Sequence, residues 1–286
     1  MFLFLYNIIR LLKRTFVTYR AIDGDQRAAA VAYYAFFSLL PLLLLFVTIA
    51  SMLPKKESVT EVISHELEKV FAFNEAQQAE IIHTVRVVLE SRAQAGIIAI
   101  CFLMFTGQQV FQSIVRAINV AWGFQQSPWW HLPLKNIMLM TLVAAPLFMA
   151  LVLPVFFAGA EKIISRMTHI DMTGLVSLFD LATVALPTLI LFYSLYMVYQ
   201  LAPGGPVHFY NIWLATVVVT FILQIFQLFF FWFIDSYGRF NAIYGAFSTI
   251  VILLLWIFFS ANIIIIGACL CVAHAEIYGP PKALTY

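Results

Sequence analysis

The chain has 286 residues, of which 63% are apolar and 10% charged, with a formal net charge of +2 and a mean hydropathy of +0.94. A chain this apolar cannot hide its side chains inside one soluble core, so most of it faces lipid or other buried helices. The small net charge gives no support for a basic patch of the kind through which proteins bind nucleic acid phosphates.

The start, MFLFLYNIIRLLKR, places its apolar residues before its charges and has no small-residue cleavage site, which predicts an uncleaved first span. Residues 1–27 form a basic amphipathic segment in which Asn7, Arg10, Lys13 and Arg14 stand opposite Leu5, Ile8, Ile9, Leu12 and Phe16. Such a helix lies on an anionic leaflet. Ala28 to Leu53 then carry no charge over 26 residues, enough to cross a hydrocarbon core of about 30 Å at about 1.5 Å per residue. The next hydrophilic stretch, 54–92, repeats Val59, Val62, Ile63, Leu67 and Val70, then Ile81, Ile82, Val85, Val88 and Leu89 at helical spacing. It predicts two short amphipathic helices outside the cytoplasm, broken near Asn74.

Further apolar runs predict spans at 94–115, 136–160, 176–200, 209–234 and 244–272. The run Leu181 to Ile234 has 54 residues, too long for one crossing, and Leu201-Ala-Pro-Gly-Gly-Pro-Val-His208 divides it with a turn. Pro41, Pro146, Pro154 and Pro187 fall within spans and predict kinked helices. The fold class is therefore all-α: a polytopic bundle of six transmembrane helices over residues 28–276, with a short tail at 277–286. Cys101, Cys269 and Cys271 lie in apolar runs and read as small packing residues.

Six crossings put both termini on one side. Arg10, Lys13, Arg14, Arg20 and Arg27 crowd the first tail, which favours the cytoplasm for that side. Trp122, Trp129, Trp130 and Trp213 fall at the same proposed interface.

Three stretches carry a family resemblance. Ala28-Ala-Ala-Val-Ala-Tyr-Tyr-Ala-Phe-Phe-Ser-Leu-Leu-Pro41 resembles the first-span signature of the YihY/BrkB family of bacterial inner-membrane proteins. Arg116-Ala-Ile-Asn-Val-Ala-Trp122 resembles that family's motif after the second span. Asn241-Ala-Ile-Tyr-Gly-Ala246, with Leu255-Trp256 and Ile266-Gly-Ala268, resembles its last-span pattern. The resemblance covers about residues 20–276 and implies six membrane helices and a role in the cell envelope. Many members of that family place an acidic residue after the final Gly-Ala pair, where this chain has Cys269. A ribonuclease label once attached to the family finds no support in the residues. A metal-dependent nuclease needs clustered ligands, and the nearest two histidines, His65 and His83, are 18 residues apart. No P-loop, nucleophile elbow or paired-carboxylate motif is present. The expectation is a protein that is not an enzyme and uses no cofactor.

The most suggestive constellation runs from the end of the second span onward. At about 100° per residue, Gln108, Gln109, Gln112, Ser113, Arg116 and Asn119 share an arc of about 140°, with Val110, Phe111, Ile114, Val115 and Ile118 opposite. Two readings fit: an interfacial helix with Arg116 reaching lipid phosphates, or the wall of a polar cavity completed by Gln224, Gln227 and Asn262. The predicted function is transport or lipid handling in the cell envelope at the bacterial inner membrane. The alternative is a structural or assembly component without transport activity. The partners are membrane lipids, anionic ones included, with an envelope protein or a second copy of the chain as further candidates and no nucleic acid.

Overall fold

The computed structural model describes residues 2–50, 92–124, 139, 141–143, 146, 173–237 and 246–278. Among these, the regular structure is helical throughout, in six long helices: α1 (Phe2–Ala21), α2 (Gly24–Ala50), α3 (Arg92–Trp122), α4 (Thr173–Leu201), α5 (Phe209–Tyr237) and α6 (Ala246–Tyr278). A backbone in hydrocarbon has no water to bond, and a helix satisfies its N–H and C=O groups internally. Four stretches are long and apolar enough to cross a membrane: Gly24–Leu45, Ile97–Trp122, Phe209–Ile234 and Ile250–Tyr278. In α4 the corresponding apolar run, Ala185–Leu201, is shorter. The two amphipathic helices expected within 54–92 lie outside the described residues, apart from Arg92 at the start of α3. So do most of the span expected at 136–160, Trp129, Trp130, Pro154 and the tail beyond Tyr278.

Three boundaries differ by four residues or more from those read off the charges. α2 begins at Gly24 rather than at residue 28, because Asp25 in its first turn suits the positive end of the helix dipole. α3 continues to Trp122 rather than ending near residue 115, since one charged residue does not stop a helix whose next turn buries Ala117, Ile118 and Ala121. It ends where Gly123 takes φ 70°. There Phe124 N–H donates to Asn119 O at 3.0 Å and Gly123 N–H to Val120 O at 3.1 Å, the paired bonds of a Schellman cap. α6 runs on to Tyr278 rather than to 272, with Val272, Ala273 and His274 buried.

The described residues divide into two compact units. The first comprises Met1–Gly24, Ile114–Ile225 and Ile263–Tyr286. Its core gathers Val115 and Ile118 of α3, Tyr199 of α4, Ile212, Thr216 and Val219 of α5, and Ile265, Cys269 and Cys271 of α6. The Tyr199 hydroxyl donates to Ile264 O at 2.8 Å. Gly267 permits that approach, because a Cβ there would stand 2.3 Å from both Tyr199 Oη and Val219 Cγ2. Between α1 and α2, Asp23 adopts φ 51°, and Tyr19 folds back so closely that a Cβ on Gly24 would meet its ring at 2.2 Å.

The second unit, Asp25–Ser113 with Phe226–Asn262, is held by aromatic contacts. Phe226 meets Phe259 at 6.0 Å and Phe230 meets Trp256 at 6.1 Å between ring centroids. In both units several Ser and Thr hydroxyls are absorbed by their own helices. Thr106 donates to Phe102 O, Ser113 to Gln109 O, Thr216 to Ile212 O and Thr220 to Thr216 O, each four residues back. That is how an apolar span carries hydroxyl groups without stranding them in lipid.

Candidate functional site

At one end of the first unit, α3 ends, α4 ends and α5 begins, and the buried Asn119 bonds α3 to the turn between α4 and α5. Its Nδ2 donates to Val115 O at 2.8 Å and to Ala202 O at 3.0 Å, while its Oδ1 accepts from Gly204 N–H at 2.6 Å. The turn expected at 201–208 is thus pinned to α3 by one amide. Gln200 Nε2 adds a bond to Val207 O at 3.3 Å. A Cβ on Gly205 would stand 2.7 Å from the Phe124 ring, which in turn stacks on Trp122 at 6.1 Å.

Arg116, one turn before Asn119, is exposed and has no ion pair among the described residues. The two neighbours therefore differ in kind. Asn119 has its bonding capacity taken up within the protein, whereas the Arg116 fork points outward from an apolar stretch. Gln224, half-buried in the same unit, donates to the Thr188 hydroxyl at 3.1 Å and ties α5 to α4. Gln108, Gln112, Gln227 and Asn262 belong to the second unit. There Gln108 and Gln112 are half-buried, Gln227 is exposed, and Asn262 donates to Phe258 O in its own helix at 2.8 Å.

A contact that sequence reasoning missed lies at the same end. Arg14 of α1 holds Glu276 of α6 through two bonds, Nε to Oε2 and Nη2 to Oε1, the latter at 3.0 Å. The hydrogen bond, then the charge, of Glu276 raises the Arg14 pKa above the ordinary arginine value. A raised pKa stabilises the protonated form, so the arginine keeps its half of the pair at every physiological pH and loses it only in strong alkali. Nearby, His274 is buried between the rings of Tyr210 at 5.3 Å and Tyr278 at 4.9 Å. Among the described residues, buried Nδ1 of His274 and Oγ of Ser194 have no hydrogen-bond partner. No group of three or more His, Cys, Asp or Glu among the described residues is placed to hold a metal ion.

Comparison with known proteins places these features in a family. The chain is 25% identical over 267 residues to the ribonuclease-like protein YfkH of Bacillus subtilis, covering 90% of this chain and 92% of that one. It is 23% identical over 255 residues to a UPF0761 membrane protein of Actinobacillus pleuropneumoniae, covering 89% of each. A UPF0761 membrane protein of Vibrio parahaemolyticus is 22% identical over 261 residues, covering 88% of this chain and 78% of that one. No solved structure matches. The four long apolar helices and these relatives make the chain a membrane protein. The family profile described as Virulence factor BrkB matches residues 15–283, and the chain belongs to that family.

Proposed function

We propose that the protein is a six-span inner-membrane protein that handles anionic lipids of the cell envelope, with both termini in the cytoplasm and no enzymatic activity. The observation that carries this reading is Arg116: an exposed guanidinium in the apolar stretch Ile97–Trp122, with no acidic partner among the described residues. It stands about 9 Å along the axis from Trp122, at about 1.5 Å per residue. With Trp122 marking the interface, the Cα of Arg116 lies below it and the long side chain snorkels up to lipid phosphates, which a forked guanidinium grips with two hydrogen bonds.

The helix ends support the count of six. α3 and α4 finish side by side at the Asn119 clasp, so a chain leaving α3 has to cross the membrane before α4 begins. The uncharged run 136–160 has the length for that crossing. The His274 and Tyr210 ring contact sets the end of α6 beside the start of α5, and the Arg14 and Glu276 pair brings α1 to the same end. Both termini then share the side bearing the five cationic residues of the first tail, the cytoplasmic one by the positive-inside rule.

The test replaces Arg116 with Lys, Ala and Gln. Arg116→Lys keeps a point charge without the fork and is partly defective; Arg116→Ala and Arg116→Gln are more so. The readouts are anionic lipid copurified with the protein, by mass spectrometry, and complementation of the envelope phenotype of a deletion strain. Wild-type lipid content together with full complementation by Arg116→Gln, at normal membrane levels, overturns the reading.

A further inference from the structure

α1 carries three different faces. Thr15, Thr18 and Ile22 are buried. Ile9, Leu12 and Phe16 are apolar yet exposed, Leu12 at 60% and Phe16 at 59%. Arg10, Lys13 and Arg14 fall at i, i+3 and i+4 and occupy the remaining sector. This third face meets the end of α6 across an open cleft of about 290 Å³, lined by Arg10, Lys13, Arg14, Val17, Glu276 and Ile277.

The lining holds three cations against one acid. Glu276 spends its charge on Arg14 and, by fixing that guanidinium, makes it a preset wall of the cleft. Arg10 and Lys13 are exposed and have no ion pair among the described residues. The cleft therefore keeps an unbalanced positive charge beside a rigid guanidinium, the electrostatics of a phosphate site. Its volume is at the lower end of small-molecule pockets, which suits a head group rather than a whole lipid. Those chains have their own surface, because Leu12 and Phe16 stand exposed on the adjoining sector of the same helix, where an interfacial helix inserts into the acyl boundary.

We propose that the cleft between α1 and the end of α6 binds the phosphate of an anionic phospholipid, with Arg10 and Lys13 supplying the attraction and Arg14, held by Glu276, fixing its position. The site is separate from Arg116 and deepens the lipid-handling reading by naming a second point of head-group contact. The exposed apolar face favours a lipid over free phosphate as the source.

The test uses the full-length protein in neutral detergent, titrated with short-chain phosphatidylglycerol, short-chain phosphatidylcholine and inorganic phosphate. Wild-type protein binds the phosphatidylglycerol in preference to the phosphatidylcholine, and millimolar inorganic phosphate does not displace it. The double variant Arg10→Gln, Lys13→Gln weakens that binding by about 25-fold, taking each surface cation as a factor of about five. Both residues are exposed, and their removal leaves the Arg14 and Glu276 pair in place; the single variant Lys13→Gln gives the intermediate value if the double variant expresses poorly. In the Arg116→Gln background, which removes the other proposed head-group contact, the same double substitution weakens the remaining phosphatidylglycerol binding by a similar factor. Unchanged binding by the charge-removed variants overturns the site. Equal displacement by inorganic phosphate overturns the lipid assignment. Complete loss with Arg116→Gln alone, or no further weakening by the double substitution in that background, assigns the bound lipid to the other position and also overturns the proposal.

Discussion

Replacing Asn119 measures how much one amide contributes to the junction of three helices. Asn119→Ala removes the acceptor of Gly204 N–H and a donor to Ala202 O. Val115 O loses little, since it also faces the helical N–H of residue 119. An orphaned buried donor costs about 1–3 kcal/mol and an ordinary lost bond about 0.5–1.5 kcal/mol. Bonds between membrane helices average about 0.6 kcal/mol, which sets a floor near 1.2 kcal/mol for two. Gly204 is exposed, so water reaches its N–H once the amide has gone. The lower part of the range therefore applies, about 1–2 kcal/mol.

Asn119→Asp separates hydrogen-bond geometry from side-chain volume. The carboxylate still accepts from Gly204 N–H, but it turns a second oxygen toward Ala202 O where a donor stood, at a residue only 7% exposed. A buried charge facing a carbonyl costs more than an absent side chain. The order of stability is wild type, then Asn119→Ala, then Asn119→Asp, measured as the unfolding free energy in a denaturing-detergent titration of protein in mixed micelles. An Asn119→Ala value within about 0.5 kcal/mol of wild type, the range of inert surface changes, or an Asn119→Asp protein more stable than Asn119→Ala, refutes the clasp.

Gly267→Ala brings a methyl group against Tyr199 and Val219 and lowers unfolding free energy by about 1–3 kcal/mol; a neutral or stabilising result in the same titration shows that the helices can part there at no cost. Glu276→Gln lowers global stability by no more than about 1 kcal/mol, because the pair is partly exposed, but it speeds proteolysis between α1 and α2; equal cleavage rates mean that the pair does not hold α1. With the native cysteines removed, a cysteine at Ser58 reacts with an impermeant thiol reagent on intact spheroplasts and one at Lys282 does not; the reverse pattern inverts the topology. Purified protein leaves RNA intact, and a cleaving activity that copurifies with wild type and disappears on replacing one histidine defeats the non-enzymatic reading.

Local chemistry was legible in the chain. Apolar runs marked α2, α3, α5 and α6, and Pro203, Gly204, Gly205 and Pro206 marked the turn after α4. Boundaries were less so where a single charge stood for the water surface: Arg116 marked an end, yet the helix runs six residues further because its next turn has buried partners. The arc on the helical wheel grouped Arg116 with Asn119 as one polar face. Packing treats them differently, one exposed and one buried, because the amide finds the α4 to α5 turn 83 and 85 residues away. Arg14 and Glu276 are 262 residues apart. No periodicity within a segment encodes a partner at that distance, and α1 could be read only as a helix for a membrane surface rather than as one docked on the last span.

Most polar residues in a membrane bundle stay where something satisfies them, and the first unit uses two solutions. Within the bundle, side-chain hydrogen bonds join different elements: Asn119 to the turn, Tyr199 to Ile264 O, Gln224 to the Thr188 hydroxyl. On its outer surface, Arg116, Arg10 and Lys13 have no partner of opposite charge among the described residues. Bonding the first group adds rigidity where α3, α4 and α5 meet. Leaving the second group open costs little at an interface, where phosphates lie within reach, and would cost about 2.5–3.5 kcal/mol for each cation at mid-membrane. The cationic groups and the helix ends thus belong together for one physical reason. The end of the bundle that holds its shape through internal bonds is also the end that can present fixed positive charge to a leaflet of anionic lipid.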